Sequence, residues 1–138
     1  MKIVVLSYLF VALGGALGAM ARYGLQVWLQ RGVDFPWGTL AANLLGCLLL
    51  GIGAQLVASS AWFNDAGIIP DQYRLLFAVG FCGSFTTFST YILELHTMFE
   101  RGEVVYAFTY FAGSMLGGFA LFFLGLIATR SVLLTVSG

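Results

Sequence analysis

Charge is scarce in this sequence. Six Lys or Arg and six Asp or Glu are spread over 138 residues, 9% of the chain, where a soluble domain carries about 25%. So few charges cannot solvate the surface of a soluble fold, and the zero net charge offers no basic footprint for a nucleic-acid partner. The single histidine, His96, has no cysteine at ligand or triad spacing, and Cys47 and Cys82 form no CxxC pair. Both cysteines read as small packing residues. Paired carboxylates are missing from the apolar runs, and no GxxxxGK[ST] loop is present, so neither an intramembrane enzyme nor an ATP-driven pump is expected. Only two prolines occur, Pro36 and Pro70, each placed where the missing N–H at a helix start costs least.

What the chain has in abundance is apolar length. Mean hydropathy is +0.96, and residues 3–21, 35–64, 75–93 and 104–129 are free of charge. A helix crossing ~30 Å of hydrocarbon needs about 20 such residues; barrel strands would instead alternate over about 10. The expectation is an all-α membrane protein, one domain over 1–138 with four spans near 3–27, 37–60, 73–98 and 103–130. The first span has a signal-like start at Lys2 and small residues at Gly18–Ala21. Its apolar run exceeds a typical signal core, so it reads as a retained helix. Trp28, Trp37 and Trp62 fall at span ends, where amphipathic rings favour the headgroup layer.

Four spans put both termini and the second connection on one side, with Lys2, Arg74 and Arg130; the other side has Arg31, Arg101 and, near a span end, Arg22. The balance sets no direction. It implies insertion in both orientations, paired as an antiparallel homodimer, with a single orientation fixed by a weak bias or a partner as the alternative. Two G-xxx-G pairs, Gly14–Gly18 and Gly113–Gly117, point to close helix contacts.

Polar side chains inside such spans need partners or a wet cavity. Thr39, Asn43 and Cys47 recur every four residues in the second span, and Tyr106, Tyr110, Ser114 and Gly118 do so in the fourth. Asn43 fits either an interhelical hydrogen bond or an N–H donor to a passing anion. Tyr106 also fits the interfacial belt, and Ser114 a bond to its own backbone. In the third span Phe81, Phe85, Phe88 and Tyr91 fall on one helical stripe. A stripe is usually packing, but ring edges are electropositive and hold an anion weakly enough for transit. Glu94 follows on the Tyr91 face, either contacting ions or snorkelling at the rim. Arg22 reads as a positive entrance or a headgroup anchor. Gly80, Gly83 and Thr86-Thr87 weaken the third helix in mid-span, and a break there frees carbonyls suited to a hard monovalent cation. Two antiparallel copies would build a symmetric cage for it.

The segments G-F-C-G-x-x-T-T-F-S-T, W-G-T-L-A-A-N-L-L-G, G-A-x-x-R-Y and Y-x-A-G-S, in all four spans and in order, resemble the fluoride channel family called CrcB or Fluc. The resemblance implies a dual-topology antiparallel dimer with two fluoride pores in a bacterial inner membrane, surrounded by lipid, and a structural Na⁺ at the dimer centre. It assigns Na⁺ to the carbonyls of Gly83 and Thr86. The pore falls to Asn43, Phe88, Tyr91, Tyr110 and Ser114, with Thr39 and Glu94 as further polar contacts and Arg22 at the vestibule. It favours packing for Phe85. Two positions depart from the family pattern: Ser84 replaces a glycine, and Tyr91 replaces a phenylalanine. Export is expected to be passive. The competing reading is a small dual-topology multidrug exporter driven by protons, which needs a membrane carboxylate. The first two spans have none and Glu94 comes late.

Overall fold

The computed structural model describes residues 2–32, 34–59 and 70–137; Trp62, Asp65 and most of the second connection lie outside them. Helix α1 is Lys2–Leu29 and α2 is Trp37–Ala58. Helix α3, residues 70–85, is built from Pro70–Tyr73, a π-helical stretch Arg74–Cys82 and Gly83–Phe85. Helix α4 is Phe88–Glu100 and α5 is Val104–Ser137. Among the described residues four stretches are long and apolar enough to cross a membrane: Val4–Leu29, Trp37–Ala58, Asp71–Glu100 and Val104–Thr135.

The connections follow from local chemistry. Pro36, buried and without an N–H, precedes α2 and accepts from the Leu40 N–H at 3.0 Å. Helix α4 stops at Gly102, where φ is +72°. The Gly102 N–H returns to the Phe99 carbonyl (3.0 Å) and the Glu103 N–H to the Met98 carbonyl (2.9 Å). This six-to-one pattern needs a left-handed residue, which glycine supplies cheaply, and it turns the chain directly into α5.

Packing runs through glycine. Helix α1 packs chiefly on α3, and α2 on α5. A Cβ on Gly14 would strike the Leu76 carbonyl, one on Gly18 the Phe81 carbonyl, and one on Gly80 would lie 2.9 Å from the Val11 carbonyl oxygen. Backbone therefore meets backbone, as small-residue membrane interfaces allow. The Gly113–Gly117 pair behaves differently. A Cβ on Gly117 would lie 2.9 Å from the Leu44 side chain, but one on Gly113 would meet nothing within 4 Å among the described residues. The close α2–α5 approach is made at Gly51 and Gly125, against the Phe122 and Leu48 carbonyls. Gly14→Val is expected to destabilise the helical bundle by at least the ~1–3 kcal/mol of an overpacked core. Gly24→Ala, whose methyl would meet nothing within 4 Å, should not destabilise it. Thermal unfolding in detergent, followed by circular dichroism, distinguishes them, and equal midpoints would contradict this packing.

The aromatic stripe divides in two. Tyr73, Phe77, Phe81 and Phe85 stack at centroid distances of 5.2, 5.9 and 5.5 Å, and Phe85 is buried. This ladder is packing, and Gly53 makes room for the Phe77 ring. Phe88 and Tyr91 form a separate pair 6.1 Å apart. One continuous stripe fails because the two residues between Phe85 and Phe88 are extended and reset the helical phase.

Candidate functional site

Those two residues are Thr86 (φ −84°, ψ 157°) and Thr87 (φ −148°, ψ 120°). In a continuous helix the Thr87 N–H would bond to the Gly83 carbonyl. It donates instead to Asn43 Oδ1 at 2.8 Å, and Asn43 Nδ2 donates to the Thr87 carbonyl at 3.1 Å. One side-chain amide of α2 thus satisfies both backbone groups of Thr87 in mid-span. Thr87 Oγ1 in turn accepts from the Thr90 N–H at 3.3 Å, capping α4, and donates to Thr90 Oγ1 at 2.9 Å. On the other side Thr86 turns both its N–H and its hydroxyl to the Cys82 carbonyl, each at 3.0 Å. The absence of a Cβ on Gly46 lets the Thr86 methyl seat against α2. The Gly83 carbonyl is left without its helical donor, at an exposed residue.

Beside this segment runs a groove of about 290 Å³, lined by Asn43, Cys47, Thr86, Phe88, Tyr91 and Ser114 among others, with Gly83 and Cys82 along its wall. Phe88 is 70% exposed, so in one chain the groove is open on the Phe88 side, whereas Tyr91 is buried. Ser114 Oγ is buried and, among the described residues, has no hydrogen-bond partner. The expected bond to its own backbone is not made; the hydroxyl belongs to the groove wall instead. Asn43 makes the interhelical bonds of the first sequence reading, and its side chain also lines the groove.

A second polar network continues from the groove. Glu94 is half-buried and does not snorkel to the rim. Thr39 Oγ1 donates to its Oε1 and Tyr110 Oη to its Oε2, both at 2.7 Å, and Gln26 Nε2 donates to Thr39 at 3.1 Å. Four helices, α1, α2, α4 and α5, are thereby tied through one carboxylate. The two arrays meet at the rings. Tyr91 lies edge-on to Tyr110, centroids 5.0 Å apart and planes at 62°, and its hydroxyl reaches the Phe111 carbonyl at 3.5 Å. Phe35 presents an edge to the other side of Tyr110 at 5.5 Å and 76°.

The structure thus brings together Thr39, Asn43, Phe88, Tyr91, Glu94, Tyr110 and Ser114, with Gly83 and Thr86 at the groove wall. Arg22 is not among them. It is half-buried, and among the described residues it makes no ion pair or hydrogen bond and does not line the groove. His96 sits outside, exposed, 3.5 Å from Glu100. Sequence reading missed Gln26, Thr87 as the point of attachment for Asn43, and Phe35. Gln26 alone carried a mark, an amide within an otherwise apolar stretch.

Residues 9–126 match the sequence profile of the family described as CrcB-like protein, Camphor Resistance (CrcB). The chain belongs to the CrcB family. The matched segment contains every residue of the groove and of the Glu94 network, so the family's shared region and the polar interior coincide. Three CrcB relatives carry the name fluoride-specific ion channel FluC. The protein of Thermus thermophilus is 45% identical over 120 residues, covering 86% of this chain and 89% of its own. That of Rhizobium etli is 43% identical over 126 residues, covering 90% and 96%. That of Prosthecochloris aestuarii is 40% identical over 125 residues, covering 90% and 93%.

Proposed function

We propose that this chain is a fluoride channel that exports the anion from the bacterial cytoplasm by passive electrodiffusion, working as an antiparallel pair of copies in the inner membrane. The observation that carries this reading is the buried, unpartnered Ser114 hydroxyl in a groove edged by aromatic rings. An orphaned donor in lipid is costly unless something passes that accepts its proton. A dehydrated anion is such a species. The donors available to it are neutral: the Ser114 hydroxyl, the second N–H of Asn43 Nδ2 and the edges of Phe88 and Tyr91, while the Tyr110 phenol, committed to Glu94, stands beside them. None forms the tight ion pair that would trap fluoride. A small, strongly hydrated halide exchanges its water shell for these contacts one at a time, whereas chloride fits a narrow row of them poorly. Hydrogen fluoride enters cells as a neutral acid and dissociates, and the membrane potential then drives the anion out.

The pairing of copies is supported by Phe88, whose exposed ring leaves the pathway without an outer wall until a second copy supplies one. The Gly83 carbonyl, freed of its helical donor and exposed, and the neighbouring Thr86 carbonyl fit a Na⁺ on the two-fold axis, where two copies double the oxygen count. A bound Na⁺ would pin the two interrupted helices to each other. Arg22 is assigned to the vestibule on its charge and its place in the last two turns of the first span. The proton-coupled exporter finds less support, since both oxygens of Glu94 are already engaged by Thr39 and Tyr110.

Phe88→Ile tests the groove assignment. Loss of one ring edge, ~0.5–1.5 kcal/mol, should lower fluoride efflux from reconstituted vesicles by up to about tenfold, with assembly size unchanged on gel filtration. Unaltered efflux would remove Phe88 from the pathway.

A further inference from the structure

A second cavity, of about 280 Å³, lies at the rim between the connection before α2 and the start of α5, lined by Asp34, Phe35, Met98, Glu103 and Tyr106. Neither the groove nor the Glu94 network includes it, yet it adjoins them. Tyr106, Tyr110 and Ser114 follow at four-residue steps along α5. They occupy the rim cavity, the Glu94 network and the groove respectively. Phe35 stands at the junction. Its ring lines the rim cavity, lies 6.5 Å from the Tyr106 ring and packs edge-on at 5.5 Å against Tyr110. It therefore separates the open cavity from the phenol that bonds Glu94. Phe35 is held there by the buried Pro36 that follows it and by Trp37, 4.7 Å away.

We propose that the rim cavity is one mouth of the ion pathway and that the Phe35 ring is its constriction. The proposal rests on the channel reading above. An apolar ring across a narrow passage holds back a hydrated ion by excluding water, and Phe35 is fixed in that place by its packing against Tyr110 and the core around it. The mouth has a second property. Its two charged lining residues, Asp34 and Glu103, are both acidic. Carboxylates beside an anion's entrance lower its local concentration, and this penalty is screened by salt. Phe35 thus sets the width of the passage, and Asp34 and Glu103 set its electrostatic threshold.

Fluoride-electrode efflux from vesicles holding the full-length protein tests this. Phe35→Ala should raise efflux severalfold and Phe35→Trp should lower it, both with unchanged assembly size. The double substitution Asp34→Asn with Glu103→Gln should raise efflux about fivefold at low ionic strength, where charges interact over ~30 Å, and converge on the wild type near 1 M salt, where the range is ~3 Å. A merely structural Phe35 would leave both of its substitutions at or below wild-type efflux, and the carboxylate pair tests the mouth separately. The carboxylate variants change rim residues and keep the test decisive if a Phe35 variant fails to fold. Phe35→Ala at or below wild-type efflux overturns the constriction, and a carboxylate variant indifferent to salt overturns the mouth. If Phe88→Ile loses efflux in the same preparation, the channel reading survives that failure; if wild-type protein carries no fluoride, both fall.

Discussion

Asn43→Asp is expected to cut fluoride efflux about a thousandfold while leaving the protein folded. Aspartate is nearly isosteric with asparagine and keeps the acceptor that receives the Thr87 N–H at 2.8 Å. What changes is the other half of the amide. The donor to the Thr87 carbonyl disappears, and a negative charge takes its place on the groove wall. A passing anion ~4 Å away then meets a repulsion of ~4 kcal/mol at an effective dielectric constant of ~20, or about three decades of rate at ~1.4 kcal/mol per decade. The measurement is efflux into a fluoride-selective electrode, with circular dichroism and gel filtration to show that helices and assembly persist. Near-normal efflux would mean that Asn43 serves only to hold the Thr87 backbone and that the ion travels elsewhere.

Ser114→Ala is expected to reduce efflux roughly 10–100-fold, from the loss of one hydrogen bond to a charged species, ~1.5–3 kcal/mol. Stability should not fall, because the Ser114 hydroxyl has no protein partner to lose. That combination is informative. A hydroxyl that held helices together would lower stability on removal and leave transport to follow. Ser114→Thr, which keeps the hydroxyl, should restore much of the efflux. A less stable Ser114→Ala with undiminished transport per folded molecule would overturn the assignment.

The spans were readable in the sequence because lipid imposes a blunt requirement, about 20 residues with little or no charge, and each of the four observed stretches overlaps one of the four charge-free runs. The Gly14–Gly18 pair was equally plain, since small residues four apart make one smooth helix face, and both meet the third span. The Gly113–Gly117 pair shows the limit: spacing marks a smooth face but not what lies opposite, and within the chain only Gly117 has a neighbour. The site was legible as residue types and illegible as partnerships. Asn43 stands out as an amide in an apolar run. Its attachment to Thr87, 44 positions away, depends on the register between two spans, which no local pattern encodes. The same holds for Glu94, whose partners come from α2 and α5. The aromatic stripe was misread in part because a 3.6-residue period assumes an unbroken helix, and two extended threonines shift the phase between Phe85 and Phe88. Phe35 lies outside every periodic segment, so only its place against Tyr110 draws attention to it.

All of this turns on whether an anion as small as fluoride crosses the membrane beside these neutral groups. Vesicles loaded with equal potassium fluoride and potassium chloride, bearing the purified protein and made permeable to potassium, answer it in a single recording of both anions. Fast fluoride loss that requires the potassium pathway and ignores an imposed pH gradient, with chloride retained, is the expected result. Chloride leaving alongside fluoride, or fluoride moving only when protons move the other way, would contradict it.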